Sequence, residues 1–215
     1  MPLFGRDLMK AFNITWSQTN FVKGDYELSG LLNEYSELFD GGLGEYKGYN
    51  VSLELSEETK PIFCKHRTIP FAHKMAVEKE LIKLEEAGVI KKNDDCQWGT
   101  PLVPVLKPDG SIRLCANYKT TINKYIKDIH YPFPRIEELF AIIQGGETFS
   151  KLDFSNAYNQ LKLDDNTSKL LAWSTHKGTY EVLLMPYGIK PATAIFQRKV
   201  EKVFKDCPYT AKPIR

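Results

Sequence analysis

Hydrophobic and polar positions change period several times along this chain, and each change marks an element. Residues 28–39 place Leu28, Leu31, Leu32, Tyr35, Leu38 and Phe39 at helical spacing, and Asp40-Gly41-Gly42 closes that run. Tyr49 to Leu55 alternates, with Val51, Leu53 and Leu55 set against Ser52 and Glu54, which predicts a strand. Pro61 and Pro70 mark an extended connector. Lys74 to Ala87 predicts an amphipathic helix with Val77, Leu81 and Leu84 on one stripe, and Gly88 stands where a helix-ending glycine belongs. Leu102–Lys107, Pro108-Asp109-Gly110 and Ser111–Ala116 read as a β-hairpin with a short turn. Pro134 opens a further helix, expected to turn Ile136, Leu139, Phe140 and Ile143 inward and to stop at Gly145-Gly146. Strands are predicted at 149–153, 161–163, 170–174 and 179–184. Pro191 then starts a helix with Phe196, Val200, Val203 and Phe204 on one face.

This order of elements predicts an α+β fold, with helices packed on a small mixed or antiparallel sheet. Residues 206–215 lose the pattern and read as a divergent tail. At 215 residues the chain has room for one large domain or two small ones, and its 42% hydrophobic content is enough for a sizeable core. The net charge of +2 does not by itself point to nucleic acid, so the position of the charge decides. Past Tyr187 the basic residues Lys190, Arg198, Lys199, Lys202, Lys205, Lys212 and Arg215 face only Glu201 and Asp206. That excess suits either phosphate contacts or a solvated helix face. The four cysteines show no Cys-x-x-Cys spacing and predict reduced thiols rather than a zinc site. No apolar run reaches the ~18 residues of a membrane span, and the N-terminus carries no signal-peptide pattern, so the expectation is a soluble intracellular protein.

The segment Phe149-Ser-Lys-Leu-Asp-Phe-Ser-Asn-Ala-Tyr-Asn-Gln160 is the richest in candidate chemistry. Asp153 ends an apolar stretch and is read either as a ligand for a divalent cation or as the cap of the following turn. Tyr158 follows one turn later, either to stack on a sugar or to serve as a half-buried core aromatic. Lys107 and Arg113 lie on the two arms of the hairpin. They suit a polyphosphate clamp or an exposed, solubilising hairpin. Gly188, in Met185-Pro-Tyr-Gly188, permits either close backbone approach to a flat ligand or a plain turn. Asp164-Asp165 reads as an exposed turn and not as a metal site.

Read together, Trp98 through Tyr118, Tyr131 through Leu139, Phe149 through Gln160 and Met185 through Gln197 form an ordered set of motifs. Through them the chain resembles the reverse transcriptases of long-terminal-repeat retrotransposons of the Ty3/gypsy type, from about Pro61 to about Phe204. The resemblance implies a right-hand polymerase, with fingers over 61–148 and part of the palm over 149–205. It further implies a connector over 21–60 and, over 1–20, the end of a retropepsin-like protease, carried by Leu3-Phe-Gly-Arg-Asp7.

By the same resemblance Asp153 is the catalytic metal ligand, and the Phe154 carbonyl helps hold the ion that carries the triphosphate. Tyr158 becomes the gate against a ribose 2′-hydroxyl, and Lys107 and Arg113 the contacts to the incoming triphosphate. Tyr187 and Gly188 would line the nucleotide pocket, with Gln197 and Arg198 near the template. The implied cofactor is Mg2+, two ions in the complete enzyme. The implied partners are an RNA template, a DNA primer, deoxynucleoside triphosphates and the C-terminal regions of a Pol polyprotein. Three departures stand out. The Tyr/Phe-x-Asp-Asp motif expected after Phe204 is absent, which leads to an expectation of little activity alone and leaves a non-catalytic nucleic-acid-binding remnant, or a decayed element, as the alternative. Ala116-Asn-Tyr-Lys119 stands where the family has an Asp and an Arg. Pro191-Ala-Thr-Ala194 moves a proline that in the family sits deeper in the motif.

Overall fold

The computed structural model describes residues 26–39, 41–147, 149, 151–207 and 210–212. Chain contacts separate 1–42 from 43–215. That break falls inside the stretch expected to be connector. In the first unit the expected helix over 28–39 is a helix α1 (Tyr26–Glu34) followed by a 3-10 turn (Ser36–Leu38), and Leu32, Tyr35, Leu38 and Phe39 are exposed. Residues 1–25, and with them the protease-like motif, lie outside the described residues.

The second unit is organised by one mixed sheet of five strands. These are β1 (Ile90–Lys92), β2 (Thr100–Leu106), β3 (Ile112–Ala116), β4 (Trp173–Thr175) and β5 (Gly178–Val182), in the order β1-β5-β4-β2-β3. The hairpin β2–β3 keeps the expected register, from Leu102 opposite Ala116 to Leu106 opposite Ile112. Its turn is closed by Gly110, at φ +81°, donating to the Lys107 carbonyl. Asp109 accepts from the Ser111 hydroxyl and amide, and these bonds hold its carboxyl below the ordinary carboxylate range. The β2–β4 pairing is parallel and joins the hairpin to the later strands through Thr100 opposite Trp173.

Helix α2 (Phe71–Glu86) begins a turn earlier than the apolar stripe predicts and buries Val77 and Leu81 as expected. Gly88, at φ +66°, ends it. Between the sheet and its flanking turns, Tyr118 is fully buried. Its hydroxyl accepts from Trp173 Nε1 at 2.8 Å and donates to the Leu171 carbonyl at 3.1 Å. Burial pushes that phenol's pKa far up, because the charged form has no water to turn to.

Several elements depart from the sequence reading. Over 49–55 the inward positions are right, with Val51 and Leu53 buried, but the segment makes only isolated bridges, Val51 with Leu163 and Leu55 with Ile126. It is nonetheless laced into the second unit. Tyr46 N–H donates to Gln160 O, Val51 N–H to Lys162 O and Leu53 N–H to Thr167 Oγ1. The strand predicted at 149–153 is absent among the described residues of that stretch. Phe149 is 63% exposed and Leu152 75% exposed, since alternation without a neighbouring strand leaves N–H and C=O groups better served by water. The strand expected over 161–163 is reduced to bridges at Lys162 and Leu163.

The strand predicted from 170 begins at Trp173, because Asp164 caps a short helix α4 (Asp165–Leu170) in place of the expected exposed turn. Helix α3 (Ile136–Ile143) forms after Pro134 but buries none of its side chains. Ile136 is exposed, while Leu139, Phe140 and Ile143 are only half-buried. Helix α5 (Ala192–Val203) buries Phe196 and Val200 as predicted, whereas Val203 faces out.

Candidate nucleotide-binding face

Four segments far apart in sequence meet around one aromatic cluster. Tyr158 lies on a 3-10 turn (Ala157–Gln160) whose N-cap, Asn156, is held in left-handed backbone at φ 48°, ψ 45°. The Asn156 side chain makes no capping hydrogen bond. The Tyr158 ring stands 4.9 Å from Tyr187 at a tilt of 58° and 5.5 Å from Phe196 edge-on. Phe154 packs edge-on against Phe196 and Phe204 at 5.8 and 6.3 Å. From β3, Arg113 lays its guanidinium over the Tyr187 ring, 4.7 Å from the centroid. Such contacts favour arginine, whose planar cation stacks on a π face.

The electrostatics follow this geometry. Partial burial raises the Tyr187 phenol above its ordinary value, Arg113 opposes that rise, and Asp153 adds to it. Tyr187 therefore feels both a cation from the hairpin and the exposed Asp153 carboxylate. Gly188, at φ +92°, makes the turn that presents Tyr187. A Cβ there would meet the Ala116 carbonyl at an ordinary 3.7 Å, so backbone conformation rather than space calls for glycine. The turn is bracketed by Asn123, whose Nδ2 donates to the Gly188 carbonyl at 2.8 Å and whose Oδ1 accepts from Lys190 N–H at 3.0 Å.

Of the residues predicted from sequence, the structure brings together Arg113, Tyr158, Tyr187 and Gly188, with Phe154 and Asp153 alongside. Lys107 sits at the hairpin loop beside Asp109. Its amide continues the ladder by donating to the Ser111 carbonyl, and strand alternation puts it on the same hairpin face as Arg113. Arg198 is exposed on α5. Gln197 departs from the expected template-facing position, because its side chain is 0% exposed. Its Nε2 donates to Glu201 at 2.6 Å and to the Lys212 carbonyl at 2.9 Å. The segment 210–212 therefore covers Gln197, and that part of the tail, divergent by sequence, is packed.

Two contributors were missed by sequence reasoning. Asn123 is one, and no local signal marked it. Thr193 is another, its hydroxyl 3.1 Å from the Tyr158 hydroxyl. Lys199, one of the basic residues past Tyr187, places its Nζ 3.0 Å from the Tyr49 ring centroid. Desolvation there, and then the charges of Arg198 and Lys202, lower its pKa.

A divalent cation needs several oxygen ligands, and a pair of ions needs carboxylates around both. Asp153 and the Phe154 carbonyl are hard oxygen donors of the right kind. Among the described residues no group of three or more His, Cys, Asp or Glu side chains is placed to hold a metal. One carboxylate does not fit a two-ion site; Asp153 and the Phe154 carbonyl would supply only part of the oxygen shell of a single ion. The cysteines are free, and burial raises the Cys96 thiol to about 11, which leaves it inert as a ligand or nucleophile. Among the described residues no helix is long and apolar enough to cross a membrane.

Residues 105–211 match the family described as reverse transcriptase (RNA-dependent DNA polymerase). The chain is 35% identical over 175 residues to the uncharacterized protein K02A2.6 of Caenorhabditis elegans, covering 80% of this chain and 14% of that protein. It is 34% identical over 151 residues to the transposon Tf2-3 polyprotein of Schizosaccharomyces pombe, covering 70% of this chain and 11% of the polyprotein. The chain thus spans about a seventh of the length of the curated relatives it matches, or less. In fold it is similar to the prototype foamy virus protease–reverse transcriptase, with a TM-score of 0.70 and 22% identity over 85% of this chain and 24% of that one. It is equally similar to the foamy viral protease–reverse transcriptase in complex with an RNA/DNA hybrid, with a TM-score of 0.70 and 20% identity over 86% of this chain and 26% of that one.

Proposed function

The chain belongs to the reverse transcriptases, the RNA-directed DNA polymerases, of the Ty3/gypsy long-terminal-repeat retrotransposon type, and from that membership we propose that its aromatic cluster is the nucleotide-binding face of such an enzyme. The observation that carries this reading is the convergence of Arg113, Tyr187 and Tyr158 beside Asp153, drawn from the hairpin, the Met185–Gly188 link and the 153–160 segment. Arg113 and Lys107, on one hairpin face, contact the triphosphate of an incoming deoxynucleotide. Arg113 does so by its forked donors and Lys107 as a point charge, both offsetting charge on the transferring phosphoryl group. Tyr187 and the Gly188 backbone form the floor under base and sugar. Tyr158 stands where a 2′-hydroxyl would project. Exposed Arg198 lies toward an RNA template paired with a DNA primer. Gln197 joins it only if the 210–212 segment moves aside.

Enzymes of this family use a divalent metal. We propose magnesium here, because the oxygens available at Asp153 and Phe154 are hard donors. When bound, the cation supplies Lewis-acid stabilisation of phosphate charge. The part played by this chain is to hold and orient the nucleotide and to contribute the Asp153 carboxylate. The 215 residues by themselves are expected to bind template, primer and nucleotide but to extend a primer little or not at all.

The test pairs binding with extension. Fluorescence anisotropy of a labelled RNA template with a DNA primer should show affinity that falls steeply as salt rises, since phosphate contacts release counterions. An affinity flat from low to high salt overturns the reading. Robust extension with deoxynucleotides and Mg2+, abolished in Asp153→Ala, would show that one carboxylate suffices.

A further inference from the structure

We propose that Thr193 is a positioning residue for Tyr158, and that it sets how sharply this chain discriminates deoxyribonucleotides from ribonucleotides. The inference rests on the reading of Tyr158 as the residue facing the sugar. Thr193 lies in the first turn of α5 and is half-buried, and its Oγ1 is 3.1 Å from the Tyr158 hydroxyl. Tyr158 itself is half-buried, on a 3-10 turn that touches α5 at few points.

The ring contacts and the hydroxyl contact do different work. Tyr187 at 4.9 Å and Phe196 at 5.5 Å confine the ring's plane, but tilted and edge-on ring contacts tolerate small sliding of the ring within that plane. A hydrogen bond at the far end of the phenol is directional and fixes where the ring edge stands. Steric exclusion of a 2′-hydroxyl depends on that edge not giving way. Anchoring both ends of the tyrosine, its backbone in the turn and its oxygen on α5, makes the wall stiff.

The experiment uses the whole chain with Mg2+ and measures dissociation constants for dCTP and CTP by calorimetry. It compares the unaltered chain with Thr193→Val, which keeps the branched shape and loses the hydroxyl, and Thr193→Ser, which keeps the hydroxyl. Tyr158→Phe removes the same bond from the other side and serves if Thr193→Val does not fold. The unaltered chain should prefer dCTP. In Thr193→Val and Tyr158→Phe the preference should shrink roughly two- to tenfold, the range of one neutral hydrogen bond, chiefly by tighter CTP binding, while Thr193→Ser should retain it. An unchanged preference in Thr193→Val, or an equal loss in Thr193→Ser, overturns the tether. Binding of neither nucleotide by the unaltered chain overturns the sugar-facing reading and the tether with it.

Discussion

Replacing Asn123 probes how the fold holds the candidate site. Its carboxamide makes two bonds to one turn, donating to the Gly188 carbonyl at 2.8 Å and accepting from the Lys190 amide at 3.0 Å. Each such bond nets about 0.5–1.5 kcal/mol, and because the turn is partly solvated, water replaces some of the loss, so Asn123→Ala should cost about 1–2 kcal/mol. With a urea slope of about 2 kcal/mol/M, that is a midpoint shift of roughly 0.5–1 M, read by the fluorescence of buried Trp98 and Trp173. Asn123→Asp separates the two bonds. Its carboxylate still accepts from Lys190 N–H but sets an anionic oxygen against the Gly188 carbonyl where an N–H stood. At neutral pH it should destabilise at least as much as alanine. Protonation restores a donor, so the folded state raises that carboxyl's pKa. The recovered stability is therefore present at low pH and lost as pH rises through the raised value. An aspartate variant as stable as the unaltered chain at pH 7, or one that does not recover toward acid pH, would refute the bracket.

Other perturbations test the scaffold under the site. Tyr118→Phe strands the buried Trp173 indole N–H and the Leu171 carbonyl, which should cost about 2–5 kcal/mol in the same urea titration; a loss below about 0.5 kcal/mol would mean that neither group depends on the phenol. Asp164→Ala removes the cap that accepts from Thr167 N–H at 2.7 Å and should cost about 1 kcal/mol. Partial burial works against ionisation of Asp164, but its bonds from Thr167 and Ser52 outweigh that and lower its pKa. The cap's contribution is then full above the ordinary carboxylate range and fades as pH falls through the lowered value. The gap between Asp164→Ala and the unaltered chain should narrow in acid.

The hairpin, α2 and α5 were legible in the sequence because each is specified locally, by turn residues, by a 3.6-residue stripe or by a closing glycine. The strand at 149–153 was not. Its alternation is real, but a strand needs a partner, and no described segment pairs with it. Asp164-Asp165 looked like a turn because the capping bond to Thr167 shows only when the helix is present. At the site, residue types in motif order singled out Asp153, Arg113, Tyr158, Tyr187 and Gly188. Asn123 and Thr193 were invisible, since they act through contacts 65 and 35 residues away. Gln197 was misplaced for the same reason, as a helix position shows its face but not what lies over it.

Arg113, stacked on Tyr187, is proposed to receive the triphosphate of an incoming nucleotide. Displacement of a fluorescent deoxynucleoside triphosphate from the chain by unlabelled nucleotide, with Mg2+ present, addresses it directly. Saturable binding is expected, weakened about 10- to 100-fold by Arg113→Ala, the range of charge-assisted hydrogen bonds, and left nearly unchanged by Arg198→Ala. Equal affinity in Arg113→Ala and the unaltered chain would contradict it.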